Sequence, residues 1–236
     1  MKEFLRTEML LGKANMEKLK NMHVAVFGLG GVGSYAAEAL VRCGVGELTI
    51  VDNDSVSVTN INRQLFALHS SVGKLKINVA KERFYDINPD IKINAFPIFF
   101  SNETAETLNF EKFDYVIDAI DTVSSKLLLI KTCSEKNIKI ISCMGTGNKL
   151  DPSGFKICDI FKTSVCPLAR VMRREVKNLG IKKLKVLYSD SEILKPFEDC
   201  EYETKGTSNR PAPGSISFVP PVAGFMISGE VIRDLL

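Results

Sequence analysis

Val24-Ala25-Val26-Phe27-Gly28-Leu29-Gly30-Gly31-Val32-Gly33, followed by Ile50-Val51-Asp52, decides the fold of this chain. An apolar run breaks into glycines in G-x-G-x-x-G register. A helix-like segment follows at 32–43, with the small residues Ala36, Ala37 and Ala39 permitting close approach to a sheet. A second apolar run, 47–52, closes on an acid. Strand, glycine turn, helix, strand and acid together make a nucleotide-binding unit. The glycines let the backbone come close to a phosphate, and a helix N-terminus attracts negative charge. A carboxylate about 20 residues further on suits a ribose hydroxyl pair. Gly28, Gly30, Gly31, Gly33 and Asp52 are therefore the first candidate site residues. Taken alone, the motif points to a redox dinucleotide.

Outward from this unit, helical spacing predicts a helix over 1–21, and strand 23–28 begins the motif. Further helices are expected at 73–86 and 124–136, with an extended apolar run at 91–100 and strands at 115–121 and 139–144. Strands alternating with helices imply an α/β, Rossmann-like, doubly wound and mainly parallel sheet with helices on both faces. Gly28, Asp52 and Asp121 all fall at carboxyl ends of strands, where such sheets bind ligands. After Gly145 the texture changes. Strands are expected at 156–162 and 184–188, with a basic helix at 168–179 between them. Residues 190–214 are polar and rich in Pro, Gly and Ser, which reads as a mobile loop, and a final helix covers 222–236. The chain is thus expected to be one domain, 1–236, with a nucleotide-binding core at 1–150. A substrate-side extension at 151–236 carries the basic helix and the loop.

Composition sets the outer bounds. The 236 residues are 45% hydrophobic and 25% charged, ordinary for a globular chain, with a net charge of +3. Residues 1–20 are charged throughout, so no signal peptide is read there, and 218–232 is too short and interrupted for a membrane span. The six cysteines form no C-x-x-C pair, which argues against a zinc ribbon. Reduced thiols in a cytoplasmic setting are the expectation. Cys166 and Cys200, like His23 and His69, read as structural rather than reactive groups.

A second motif changes the meaning of the first. Asn60-Ile61-Asn62-Arg63-Gln64 follows Asp52-Asn53-Asp54, and Gly73-Lys74-Leu75-Lys76 comes next. A dehydrogenase has no fixed need for Arg63 and Lys76. A triphosphate does, because departing pyrophosphate must be met by cations. Arg63 can fork to phosphate oxygens and Lys76 can act as a point charge. Asp121 is a natural magnesium carboxylate, with Asp118 as its competitor for that role.

On Gly28-Leu29-Gly30-Gly31-Val32-Gly33, Asp52-x-Asp54, Asn60-x-x-Arg63-Gln64, Gly73-x-x-Lys76 and Asp118-x-x-Asp121, the chain resembles the adenylating enzymes related to ubiquitin activation, the HesA, MoeB and ThiF superfamily. The resemblance spans nearly the whole chain. It implies ATP with Mg2+, the first acid on ribose, Asn60, Arg63 and Lys76 on phosphates, and Asp121 on the metal. It further implies a homodimer in which Arg6 reaches the partner's site.

The four-cysteine zinc site general among the sulfur-carrier-activating members is missing. Instead, 162–169, a basic stretch with Arg170, Arg173, Arg174, Lys177, Lys182, Lys183 and Lys185, and 212–224 are similar to the tRNA-modifying branch of the superfamily. That likeness implies ATP-dependent cyclisation of a threonylcarbamoyl group on an anticodon-loop adenosine. The reaction would run through an acyl-adenylate, with release of AMP and pyrophosphate. It makes tRNA a partner, with the basic helix as its phosphate track, and allows a sulfur-relay protein as another. The alternative is activation of the C-terminal glycine of a ubiquitin-like sulfur carrier, in which a loop cysteine such as Cys200 would matter.

Overall fold

The structure, a computed structural model, describes residues 2–197, 204–205 and 210–236. Seven strands form one sheet: β1 (His23–Phe27), β2 (Glu47–Val51), β3 (Lys92–Phe96), β4 (Tyr115–Asp118), β5 (Lys139–Cys143), β6 (Phe155–Asp159) and β7 (Lys185–Ser189). Their spatial order is β3-β2-β1-β4-β5-β7-β6. All neighbours are parallel except β6, which runs antiparallel to β7 at the edge. A two-residue ladder, β8 (Thr204–Lys205) with β9 (Arg210–Pro211), stands apart from it. The α/β, doubly wound sheet expected from the sequence is therefore the observed one.

The helices are α1 (Leu5–Leu11), α2 (Lys13–Lys20), α3 (Gly33–Cys43), α4 (Lys76–Ile87), α5 (Asn102–Ala105), α6 (Val123–Glu135), α7 (Pro167–Asn178) and α8 (Val219–Leu235). Both faces of the sheet are covered, and β1 records this residue by residue. Val24 and Val26 face one core with Leu40, Phe84, Ile227 and Val231. Ala25 and Phe27 face the other with Phe100, Phe110, Phe113 and Leu129. A third cluster lies under α7, where Met172 and Val176 meet Ile130, Met144 and Tyr188. On the first face α8 comes so near α3 that a Cβ on Gly224 would lie 2.4 Å from the Val32 carbonyl oxygen. Gly224 of α8 thus lets the two helices approach.

Several boundaries differ from the sequence reading, each for a local reason. The single helix expected at 1–21 is two, because Gly12 has φ of +79°. The helix expected from 73 begins at Lys76, since Gly73 has φ of +85°. β4 ends at Asp118, so Asp121 lies three residues beyond the strand. The last helix starts earlier than 222, with Pro220 and Pro221 in its first turn, where the missing N–H costs nothing. The loop expected at 190–214 falls partly outside the described residues, and Cys200 wholly so.

Candidate nucleotide site and its acceptor side

The sheet changes winding direction at β1, which has β2 on one side and β4 on the other. A crevice opens at that point beyond the strand ends. Gly28 turns the chain there with φ of +88°, and an added Cβ would sit 2.7 Å from the Ala119 carbonyl oxygen. Gly33 closes the turn so tightly that its Cβ would lie 1.8 Å from the Gly28 oxygen. These two positions admit only glycine, one for its dihedral and both for space.

Asp52, at the end of β2, is buried and already engaged. Its Oδ2 accepts the Leu29 N–H at 2.6 Å and its Oδ1 accepts the Asp54 N–H at 2.8 Å. Burial pushes its carboxyl above the usual range, outweighing the pull of Lys76 and of the two backbone donors. Lys76, the first residue of α4, is buried as well. Its Nζ donates to Asp54 Oδ2 at 2.7 Å and lies 4.0 Å from Asp52 Oδ1. Asp54 therefore braces the lysine, and its own carbonyl takes the Lys76 N–H at 3.0 Å. Arg63 is held by Nη1 donating to the Thr59 carbonyl and to Asn62 Oδ1, both at 2.9 Å. Asn60 folds its Oδ1 back onto the Ser57 N–H.

Gly28, Gly30, Gly31, Asp52, Asp54, Asn60, Arg63, Gln64, Lys76 and Asp121 all line one cleft of about 1420 Å³. Ordinary ligand pockets hold about 300–1,000 Å³, so the cleft has room for an acceptor beside a nucleotide. Its far wall is Gly145, Thr146, Gly147, Leu168 and Pro213. Gly33 acts behind the wall through packing. Arg6, on α1, is exposed and does not line this chain's cleft; α1 also exposes Leu5, Met9 and Leu10.

Asp118 is not a metal candidate. Its Oδ2 pairs with Lys126 Nζ at 2.9 Å and accepts Ser142 Oγ at 2.5 Å. Both charged side chains are fully buried. Lys126 also donates to the Ile120 carbonyl at 3.0 Å, and Asp118 Oδ1 accepts the Ile120 N–H at 3.1 Å. The pair thus clamps both backbone groups of Ile120 and sets the course of the chain into Asp121. Sequence reasoning missed Lys126, although a signal exists: it shares the buried stripe of α6 with Leu129, Ile130 and Cys133. A lysine in such a stripe needs a buried partner.

Asp121 itself is exposed on the cleft wall. Among the described residues no cluster of three or more His, Cys, Asp or Glu could hold a metal. A magnesium ion needs no such cage, since one carboxylate, substrate phosphates and waters suffice. The single oxygen-donor carboxylate at Asp121 fits that habit.

The basic stretch is divided. Arg170, Arg174, Lys177, Lys182 and Lys183 are exposed, and Arg174 pairs with Glu175. Arg173 is turned inward, its Nη1 donating to the Thr163 carbonyl at 2.7 Å, so it belongs to the packing of α7 rather than to an open track. Lys185 is likewise spent on Glu230 and Asp234. Cys166 is buried, and burial pushes the thiol of its neighbour Cys143 up to about 12. His23 is fixed to Thr49 Oγ1 at 2.8 Å, and His69 is exposed away from the cleft.

Comparison with known proteins adds the chemistry that relatives perform. The ThiF family model matches residues 4–236. The chain is 45% identical over 240 residues to tRNA threonylcarbamoyladenosine dehydratase of Bacillus subtilis, covering 99% of this chain and 94% of that one. It is 36% identical to the protein of the same name in Haemophilus influenzae, over 94% of this chain and 88% of that one. Among solved structures it matches the E. coli dehydratase TcdA in complex with AMP, with a TM-score of 0.89 and 31% identity over 99% of this chain and 94% of that one. It also matches the same enzyme in complex with ATP, with a TM-score of 0.88 and 31% identity over 99% and 93%.

Proposed function

The chain belongs to the ThiF family, and from that premise we propose that it is an ATP-dependent tRNA threonylcarbamoyladenosine dehydratase. It cyclises the threonylcarbamoyl group through an acyl-adenylate, with release of AMP and pyrophosphate. The observation that carries the reading is the meeting in one cleft of a ribose-type carboxylate, Asp52, with two cations, Arg63 and Lys76. The relatives of the same name specify the acceptor.

The chemistry follows from charge. The threonyl carboxylate of the substrate is ionised at neutral pH and needs no general base. It attacks the α-phosphorus of ATP, a bond to the carboxylate oxygen forms, and pyrophosphate leaves. Asp52 holds the ribose, while Asn60, Arg63 and Lys76 meet the phosphates and stabilise the charge that develops. Asp121 would hold a magnesium ion, which supplies charge neutralisation at the phosphates. The ureido oxygen of the same substrate then attacks the activated carbonyl, the ureido N–H gives up its proton, a ring closes and AMP departs. The second step is intramolecular, so positioning and exclusion of water are what the protein supplies.

The proposal extends to the assembly. Two copies associate so that Arg6 of one reaches the cleft of the other; the exposed Leu5, Met9 and Leu10 on the same helix support a buried contact there. Exposed Arg170, Arg174, Lys177, Lys182 and Lys183 form the RNA phosphate track of the 151–236 extension. A tRNA substrate supports a cytoplasmic setting for the chain. Incubation with ATP, magnesium and tRNA bearing threonylcarbamoyladenosine, followed by weighing the nucleoside, tests the reading. Loss of one water is expected. An unchanged nucleoside, together with adenylation of a ubiquitin-like carrier, would replace it with the carrier-activating function.

A further inference from the structure

The glycines of the cleft wall differ in what a side chain would meet there. Gly28 is held to glycine by its positive φ and by the Ala119 carbonyl. Gly31 is held by Pro220, whose Cβ would lie 3.0 Å from an added Cβ. Gly147 is held by the strap 212–216, where Pro213 Cβ would lie 2.7 Å away. Gly30 meets nothing within 4 Å and belongs to the phosphate turn. Gly145 has no such constraint. Its φ is not in the left-handed region. A Cβ there would meet only Cys166 Sγ at 3.8 Å and Leu168 Cβ at 3.9 Å, both ordinary contacts. A glycine that neither dihedral nor packing requires forgoes stability that alanine would add, and close approach of a ligand is the remaining use for it. The segment is firmly set on both sides. Met144 N–H donates to the Leu187 carbonyl and Asn148 N–H to the Gly214 carbonyl, each at 2.8 Å. Between these anchors Thr146 is half-buried on the cleft wall, and its hydroxyl bonds no other described residue.

Position says which ligand this wall meets. Neighbouring strands lie about 4.8 Å apart, so the end of β5 stands about 14 Å across the sheet from the end of β2, where Asp52 sits. With the ribose at β2 and the phosphates at the turn after β1, the side of β4 and β5 is left to the acceptor. We infer that Gly145 and Thr146 form the acceptor subsite, in which the threonylcarbamoyl group packs on the bare Cα of Gly145 and hydrogen-bonds the Thr146 hydroxyl. The inference rests on the function proposed above and names two residues that the nucleotide motifs leave out. Neither residue forms a covalent bond or moves a proton. Their part is to hold the acyl chain against a fixed wall, so that its carboxylate meets the α-phosphorus and its ureido group stays close for ring closure.

The test compares wild type with Gly145→Ala, Thr146→Val and Thr146→Ser on Tm, ATP affinity without tRNA, and kcat/KM for threonylcarbamoyladenosine tRNA. The Gly145→Ala methyl fits the protein, so Tm is expected to hold or rise. It displaces the acceptor, so kcat/KM is expected to fall about 10- to 100-fold, with ATP affinity changed by less than about twofold. Thr146→Val keeps the shape and removes the hydroxyl, and is expected to lower kcat/KM about 10-fold at unchanged ATP affinity. Thr146→Ser, which keeps the hydroxyl, restores most of it. Undiminished kcat/KM in Gly145→Ala or in Thr146→Val overturns the inference. So does a loss of Tm and ATP affinity together, which would make the segment a structural one. A wild-type chain that forms no cyclised nucleoside fails the underlying reading, and that failure is seen without any variant.

Discussion

Lys126→Met is the perturbation that the buried pair makes most consequential. Methionine matches the length of lysine and leaves the apolar stripe of α6 filled, so the change is chiefly one of charge. It removes the ion pair to Asp118 at 2.9 Å and the hydrogen bond to the Ile120 carbonyl at 3.0 Å. Asp118 is left with its side chain fully enclosed and no cation beside it. Unpairing one member of a buried pair costs about 3–5 kcal/mol, against about 5–15 kcal/mol for the whole stability of a typical protein. For a chain of this size each kcal/mol moves Tm by about 2–4 °C. The expected fall is therefore about 6–20 °C, measured by calorimetry and by the denaturant midpoint. Lys126→Met with Asp118→Asn removes the stranded carboxyl group, and asparagine can still accept the Ile120 N–H. That double variant is expected to recover at least half of the loss while remaining slow in turnover, because Ile120 keeps only one of its two clamps. A Lys126→Met protein within about 1 kcal/mol of wild type, or a double variant no more stable than the single, would refute the reasoning.

Arg63→Ala removes a half-buried cation that makes two local hydrogen bonds, so the fold should survive. Adenylation, followed as exchange of labelled pyrophosphate into ATP, should drop by about 10²–10³, and wild-type exchange would end the phosphate assignment. Gly33→Ala, with no room for its Cβ, should abolish ATP binding or folding, whereas Gly30→Ala, whose Cβ meets nothing within 4 Å, should leave Tm near wild type. Hydrogen bonding from Lys185 holds the Glu230 carboxyl below its ordinary 4.5. Its stabilisation is complete above that value and is lost as pH falls through the lower folded value. The stability gap between wild type and Lys185→Met should therefore narrow on acidification below about 4.5; a gap constant from neutral to strongly acidic pH would contradict the pairing.

Much of this architecture is legible locally. Gly28 to Gly33 and Asp52 announce the turn, since a tight strand–helix junction demands glycine whatever surrounds it. The periodicity of 23–52 and 115–144 likewise reports a sheet covered on both faces. Boundaries set by single dihedrals are less visible: Gly12 splits one helix into two and Gly73 delays another, and only their positive φ distinguishes them from tolerated glycines. Charge partners are the least legible, because they depend on distant segments. Arg173 and Lys185 look like members of one basic track until Thr163, Glu230 and Asp234 are brought beside them. Lys126 becomes intelligible only with Asp118 and Ser142 in place. The strap at 212–216 is bound to Asn62 and Asn148 across 153 and 66 residues, beyond the reach of any local pattern.

The central claim is that the cleft between Asp52 and Gly147 spends ATP to remove water from a nucleoside in tRNA. The measurement that meets it most directly is the mass of the modified adenosine after a reaction in which ATP, then magnesium, is withheld in turn. With all components the nucleoside should lose the mass of one water, with one AMP released for each ring closed. Without ATP it should stay unchanged. Water loss that proceeds equally without ATP, or AMP release that leaves the nucleoside intact, would contradict the account.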